Sequence, residues 1–208
     1  MKHIVKGIEP KDFTDWKALE NNDWRPMYDS LSGVEKKAVV DSLKAEQGYI
    51  CCYCERSLDV TDYHIEHLKP KSLDDVDPLD YSNMMCSCQL RVKKGEPRHC
   101  GNSKDHWYKE DEFISPLNPD CEHKFIYTFD GYIEPASPED KAATITIEKL
   151  QLKIDKLNAL RRSAIEPFLD GQLTTEEIGR FVTGYLITKE NNNGRFNEFF
   201  TTIKYLFP

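Results

Sequence analysis

The sequence predicts an α+β fold, a zinc-stapled centre of short strands embedded in mostly α-helical N- and C-terminal segments. Three observations carry this. Six of the seven cysteines lie between Cys51 and Cys100. Apolar residues recur at three- and four-residue steps on both sides of that region but hardly within it. Turn-forming residues such as Gly48, Pro116 and the run 191–194 (NNNG) mark the joints. The expected organisation is a helical segment over 1–48, a cysteine-rich module over 49–110, and a hairpin and loops followed by helices over 111–208.

In the first segment Ser32 and Glu35 have capping-box spacing, Val39, Val40 and Leu43 share a face, and Gly48 is the expected stop. In the centre, DVTDYHIEH alternates Val60, Tyr63 and Ile65 with polar residues and reads as a strand; LDYSNMMCSC supplies a second. KFIYTFDGYIEP reads as a hairpin about Asp130-Gly131. Ile147, Leu150, Ile154, Leu157 and Leu160 then predict a helix running to Pro167. Thr174 and Glu177 cap another, and Phe196, Phe199, Phe200, Ile203 and Phe207 form a last apolar face.

The chain has 39% hydrophobic and 11% aromatic residues, enough for a packed core. The opening MKHIVKGIEPKDF lacks the apolar run of a secretion signal, and no stretch reaches the length of a membrane span. The expectation is a soluble cytoplasmic protein, whose cysteines are then reduced thiols rather than disulfides. A net charge of −8 argues against unaided, non-specific nucleic-acid binding. Residues 89–104 nevertheless hold Arg91, Lys93, Lys94, Arg98 and Lys104 against the single acid Glu96, with Lys69 and Lys71 nearby in sequence. That cluster is expected to face phosphate.

Cys51 and Cys54 have the Cys-x-x-Cys spacing with which a tight knuckle presents two thiolates to zinc. Cys88 and Cys100 are the expected second pair, with Cys86 the alternative to Cys88 and Cys52 the alternative to Cys51. A four-thiolate site is closed and structural, since no position remains for substrate. Between the pairs lies His64-Ile65-Glu66-His67. On a strand Glu66 and His67 point to opposite faces, which excludes a metalloprotease helix with two histidines on one side. A carboxylate that binds a hard cation and an imidazole that takes a proton from water are the division of labour such a pair offers.

Taken in order, Cys-x-Tyr-Cys, Glu66-His67-x-x-Pro70, Asn83 five residues before Cys88, and Cys100 four before Lys104 resemble the zinc-containing HNH endonucleases, whose pattern is C-x-x-C, D/E-H-x-x-P, N-L-x-x-x-C, C-N-x-x-K. The flanks KGIEP, YICCYCE, ISPLNPD, DGYIEP and TIEKLQLKIDKLNALRR are similar to the PtuB family, also described as retron-associated HNH proteins. The resemblance implies a ββα-metal centre in which His67 is the general base, Glu66 binds a catalytic Mg²⁺ or Mn²⁺, Asn83 braces the loop, and Lys104, Lys69 and Arg91 touch the nucleic acid. Zn²⁺ on Cys51, Cys54, Cys88 and Cys100 is structural in that reading.

The chain departs from the pattern at Gly101, where Asn or His is usual directly after the last cysteine. Asn102 is then the expected second metal ligand, with His99 and His106 in reserve and His64 as a supporting residue. PtuB proteins work beside an ABC/SMC-type ATPase, PtuA, in anti-phage defence, some with a retron reverse transcriptase and its RNA–DNA, and the resemblance implies such partners. DNA is the expected substrate. Cleavage of RNA or tRNA by the same centre, or a non-catalytic zinc module binding nucleic acid or protein, are the alternatives.

Overall fold

A computed structural model describes residues 1–58, 62–169 and 171–208. Its elements in chain order are α1 (Lys11–Lys17), α2 (Gly33–Glu46), β1 (Tyr63–His67), β2 (Met84–Cys88), a single turn α3 (Gly101–Lys104), β3 (Phe125–Tyr127), β4 (Ile133–Pro135), α4 (Lys141–Lys149), α5 (Asp155–Ile165), α6 (Thr175–Tyr185) and α7 (Phe200–Leu206). β1 and β2 pair antiparallel, with Ile65 opposite Cys86 and Glu66 opposite Met85. β3 and β4 form a second antiparallel pair. The mixture of helices and small sheets is the α+β class expected from the periodicity. No helix among the described residues is long and apolar enough to cross a membrane.

Each element follows from local chemistry. α2 buries Val39, Val40 and Leu43, the face read from sequence. Its Ser32 side chain makes no capping hydrogen bond, so the helix start relies on packing rather than on the expected box. Gly48 ends the helix at φ +61°, and a Cβ there would lie 2.4 Å from the Phe196 ring, so only glycine fits. The capping box at Thr174 and Glu177 does form. The second strand is β2, and all five of its residues are buried. Val60, part of the expected first strand, lies outside the described residues.

The hairpin turn closes at Gly131, where φ is +83° and an added Cβ would meet the Asn158 carbonyl oxygen at 2.2 Å. This close approach brings the hairpin against α5.

The long helix expected from Ile147 to Pro167 is instead two helices. α4 stops at Lys149, Gln151 takes a left-handed φ of +52°, and α5 begins at Asp155. The break has two rewards. Leu150 and Leu152 are both fully buried, and their freed carbonyls find donors, that of Leu150 from the Cys100 N–H at 2.8 Å and that of Leu152 from Arg161 Nη2 at 2.9 Å. A continuous helix would spend those carbonyls on its own backbone.

Buried residues from Met1 to Leu157 make one apolar cluster that includes the cysteines of the centre. Ile165, Phe168, Val182 and Ile203 make a second beneath α5, α6 and α7. The C-terminal segment is tied back to the knuckle at 51–57. The Phe199 N–H donates to the Glu55 carbonyl at 3.1 Å. The buried Glu55 carboxylate accepts from the Thr201 N–H at 2.8 Å and from the Thr201 hydroxyl. Replacing Glu55 with alanine leaves the buried Thr201 N–H without its acceptor, and we expect Glu55→Ala to lower stability by about 1–3 kcal/mol, read as a drop in the urea midpoint.

Candidate active site and metal centre

Zinc–sulfur bonds of about 2.3 Å in a tetrahedron place sulfurs about 3.8 Å apart. The thiols of Cys51, Cys54, Cys88 and Cys100 all lie within 4.8 Å of one another and all are buried. Cys54 and Cys88 approach to 3.6 Å. This set could hold a metal such as zinc, and among the described residues it leaves Cys52 and Cys86 out. Cys52 donates its N–H to the Cys86 carbonyl at 3.1 Å, and the Gln47 amide bridges to the Cys86 backbone on both sides. Burial pushes the Cys86 thiol up to about 12. Cys121 is buried and outside the cluster.

The local chain explains why these four converge. The Cys51 N–H donates to the Arg56 carbonyl at 2.7 Å and the Glu55 N–H to the Cys51 carbonyl at 3.1 Å, closing the knuckle. The Cys88 N–H points at the Cys51 sulfur at 3.4 Å. Burial alone would push the thiols up, but at Cys54 the hydrogen bonds from Cys100 and Cys88 bring the thiol down to about 7. Cys51 is likewise held well below the usual thiol range, its hydrogen bonds to Cys100, Cys52, Cys54 and Cys88 outweighing burial. Cys51 and Cys54 are thus prepared to act as thiolates, while Cys88 and Cys100 are pushed well above the usual thiol range by burial and by their hydrogen bonds to those two. His99, one reserve for the catalytic cation, stands here instead: Nδ1 is 3.2 Å from the Cys100 sulfur, and Nε2 is buried without a hydrogen-bond partner among the described residues.

Beside this centre a cleft of about 230 Å³ is lined by His64, Glu66, His67, Lys71, Arg98, Gly101, Asn102 and His106, among others. Strand alternation sends Glu66 and His67 to different surroundings, as the sequence requires. Glu66 Oε1 accepts from the Tyr53 hydroxyl at 2.9 Å and from Lys104 Nζ at 3.0 Å. Glu66 Oε2 is 3.6 Å from His64 Nε2. Burial works against its charge, but His64 and Lys104 outweigh it and hold the carboxyl below the usual carboxylate range. Lys104 itself is 1% exposed and also donates to the His67 carbonyl at 3.1 Å. The lysine expected to touch phosphate is therefore engaged inside the fold as the counter-charge of Glu66. Lys104→Met would break a buried ion pair, and we expect a stability loss of about 3–5 kcal/mol in denaturant titrations.

The His67 ring is set by two contacts. Nε2 is 3.0 Å from the Pro78 carbonyl oxygen, and Tyr28 meets the ring edge-on with centroids 4.7 Å apart. A carbonyl can only accept, so Nε2 carries the proton and Nδ1 keeps the lone pair. Burial pushes the imidazole below its ordinary value, so it is neutral at pH 7. Asn83 braces the segment after β1: its amide exchanges hydrogen bonds of 2.8 and 2.9 Å with the Lys69 backbone, and its carbonyl accepts from the Leu68 N–H.

The remaining candidates divide. Asn102 lines the cleft and gives its side-chain N–H to the Gln89 carbonyl. His106 lies on the rim, largely exposed, with Nδ1 3.1 Å from the Ser72 hydroxyl. The Lys69 side chain is exposed and reaches over the Tyr108 ring. Arg91 is exposed in a separate basic hollow with Lys93, Lys94 and Lys156 rather than in the cleft. Arg98 and Lys71 are the cations that do line the cleft. Tyr53 and Tyr28 were not singled out by sequence. Tyr53 lay in view inside Cys-x-Tyr-Cys, whereas nothing marks Tyr28, some forty residues before the histidine it supports.

A search of protein-family models finds no match. Two curated proteins are similar. One, named "Retron Vc95 putative HNH endonuclease", from Vibrio cholerae serotype O1 biovar El Tor, is 34% identical over 138 residues, spanning 63% of this chain and 65% of that protein. The match thus covers just under two thirds of the Vibrio protein's length. The other, "Retron Ec83 putative HNH endonuclease" from Escherichia coli, is 26% identical over 81% of this chain and 80% of its own length. Both names carry the term to which the Cys, Glu-His, Asn, Cys ordering led. The chain is thus similar to two curated proteins, each named as a retron putative HNH endonuclease.

Proposed function

We propose that this chain is a metal-dependent endonuclease that hydrolyses phosphodiester bonds in DNA at the Glu66–His67 cleft. The observation that carries the reading is His67. It is a buried, neutral imidazole with Nε2 committed to the Pro78 carbonyl and Nδ1 free as a base, next to a charged carboxylate in a cleft with Lys71 and Arg98 on its walls. A zinc-binding module needs no such pair. The names of the two relatives support the same class.

Both metals implied by this reading are tested by the residues present. Four mutually adjacent buried thiols suit zinc. Glu66, a charged carboxylate with its Oε2 turned to the cleft, suits Mg²⁺ or Mn²⁺. Such a cation, when bound, supplies charge neutralisation for the scissile phosphate and its leaving oxygen. The chain's own residues do the rest. Glu66 is kept ionised by Lys104, and His67 Nδ1 takes a proton from the attacking water. Tyr28 and Pro78 fix the ring so that the proton leaves in one direction. Arg98 and Lys71 hold flanking phosphates, which positions the strand without reading sequence.

The acidic chain is poorly suited to gather nucleic acid alone. We therefore propose that it works in the cytoplasm with a PtuA-type ABC/SMC ATPase in anti-phage defence, in a retron setting with the reverse transcriptase and its RNA–DNA. The test is incubation of the protein, alone and with its neighbouring ATPase, with plasmid DNA and with total tRNA in Mg²⁺ or Mn²⁺. Nicked or linear plasmid supports the proposal, and tRNA cleavage alone moves the substrate to RNA. No cleavage by folded, zinc-loaded protein under any condition overturns it in favour of a binding module.

A further inference from the structure

We propose that His64 is the second protein ligand of the catalytic cation, beside Glu66, and that Gly101 is glycine to make room for it. This rests on the nuclease reading above. A Cβ built on Gly101 would lie 2.4 Å from Glu66 Oε2 and 2.7 Å from His64 Nε2. The tips of both side chains thus fill the volume that any larger residue after the last cysteine would claim. Gly101 needs no left-handed backbone, since it opens the turn α3 and its φ lies outside the left-handed range. Conformational freedom therefore does not explain it, and close approach does.

His64 and Glu66 lie two apart on β1 and so share a face. Their Nε2 and Oε2 atoms are 3.6 Å apart and converge on the cleft floor at Gly101. That separation is longer than an ordinary nitrogen–oxygen hydrogen bond. The other nitrogen of His64, Nδ1, is buried and has no hydrogen-bond partner among the described residues. A structural histidine in such a place is expected to satisfy its nitrogens within the fold. Here one nitrogen is left facing a carboxylate across a gap, the arrangement of two donors awaiting a common acceptor. Asn102, the neighbour that a shifted pattern would use, gives its side-chain N–H to the Gln89 carbonyl. That bond fastens the end of β2 to α3.

The test is Mn²⁺ titration of full-length, zinc-loaded protein, followed by the electron paramagnetic resonance signal of free Mn²⁺, with melting temperature and zinc content as controls for folding. His64→Ala is expected to weaken Mn²⁺ binding tenfold or more, and Asn102→Ala to change it less than twofold. Gly101→Ala is a second route to the same point. Its backbone tolerates alanine, but the new methyl group would meet Glu66 Oε2 and His64 Nε2, so Mn²⁺ affinity is expected to fall, with the melting temperature read alongside because Glu66 is also the partner of Lys104. The proposal is overturned if His64→Ala binds Mn²⁺ within twofold of wild type, or if Asn102→Ala suffers the larger loss. Plasmid cleavage separates the two levels. Should wild type and His64→Ala both cleave and bind Mn²⁺ alike while His67→Ala is dead, His64 is no ligand and the nuclease stands. If wild type neither binds Mn²⁺ nor cleaves, the ligand assignment and the nuclease reading fall together.

Discussion

His67→Ala is expected to lower phosphodiester cleavage by about 10²–10⁴-fold, the usual worth of a positioned general base, and to leave zinc content unchanged. The separation of the two effects follows from the contacts. The imidazole touches the Tyr28 ring and the Pro78 carbonyl, and neither belongs to the thiol cluster. Losing the edge-on ring contact costs about 0.5–1.5 kcal/mol, too little to unfold a domain. His67→Gln is a useful companion, because its amide can still donate to Pro78 yet cannot act as a base near neutral pH. Plasmid nicking, zinc analysis and thermal melting on the same samples would decide the matter. Cleavage retained within tenfold by both variants would remove His67 from the chemistry.

Cys54→Ser, or extraction of metal by a strong chelator, is expected to destroy the fold rather than trim activity. Zinc binding to four thiolates is worth on the order of 10–16 kcal/mol in small zinc peptides, comparable to the whole stability of a typical domain. Here the thiols also sit inside the main apolar cluster rather than on an outlying loop. Loss of zinc therefore frees the knuckle at 51–57, the end of β2 and the start of α3 together. Cys52→Ser and Cys121→Ser serve as controls, since both residues are buried yet lie outside the four-thiol group. Zinc by atomic emission and the melting curve are the readouts. A Cys54→Ser protein with wild-type zinc and melting temperature would disprove the staple.

How much of this was legible in the sequence depends on how local each signal is. The knuckle lies within four residues and its Cys-x-x-Cys spacing marks it directly, whereas Glu66-His67 and Asn83 stand out only through the resemblance to the zinc-containing HNH endonucleases. The helix break at 150–154 was hidden. Its cause is the Cys100 N–H fifty residues upstream, which takes the Leu150 carbonyl, and the apolar periodicity runs through the break unaltered. Lys104 was expected to touch phosphate, as part of the basic run 89–104 and by the family resemblance. Its burial depends on Glu66, whose carboxylate is brought to it only when β1 packs over α3. Basic residues in 89–104 looked like one patch, but the chain turns at Gly95 (φ +84°). Arg91, Lys93 and Lys94 then line one hollow and Arg98 another. Gly101, a mere departure from a pattern in one dimension, acquires a reason only once the volume beside it is seen to be full.

The tie between Glu55 and Thr201 bridges 146 residues, and this has a consequence for timing. At about 5–20 residues per second of synthesis, Glu55 leaves the ribosome roughly 7–30 s before its partner. The knuckle that carries half of the zinc thiols must wait that long for its acceptor to be used and for Phe199 to close over it. During that interval the proposed cutting residues, already translated, stand on an unfinished support. If the cleft at Glu66 and His67 cuts nucleic acid as proposed, a knuckle that gains these bonds only once residues 199–201 are made leaves little opportunity to cut before then.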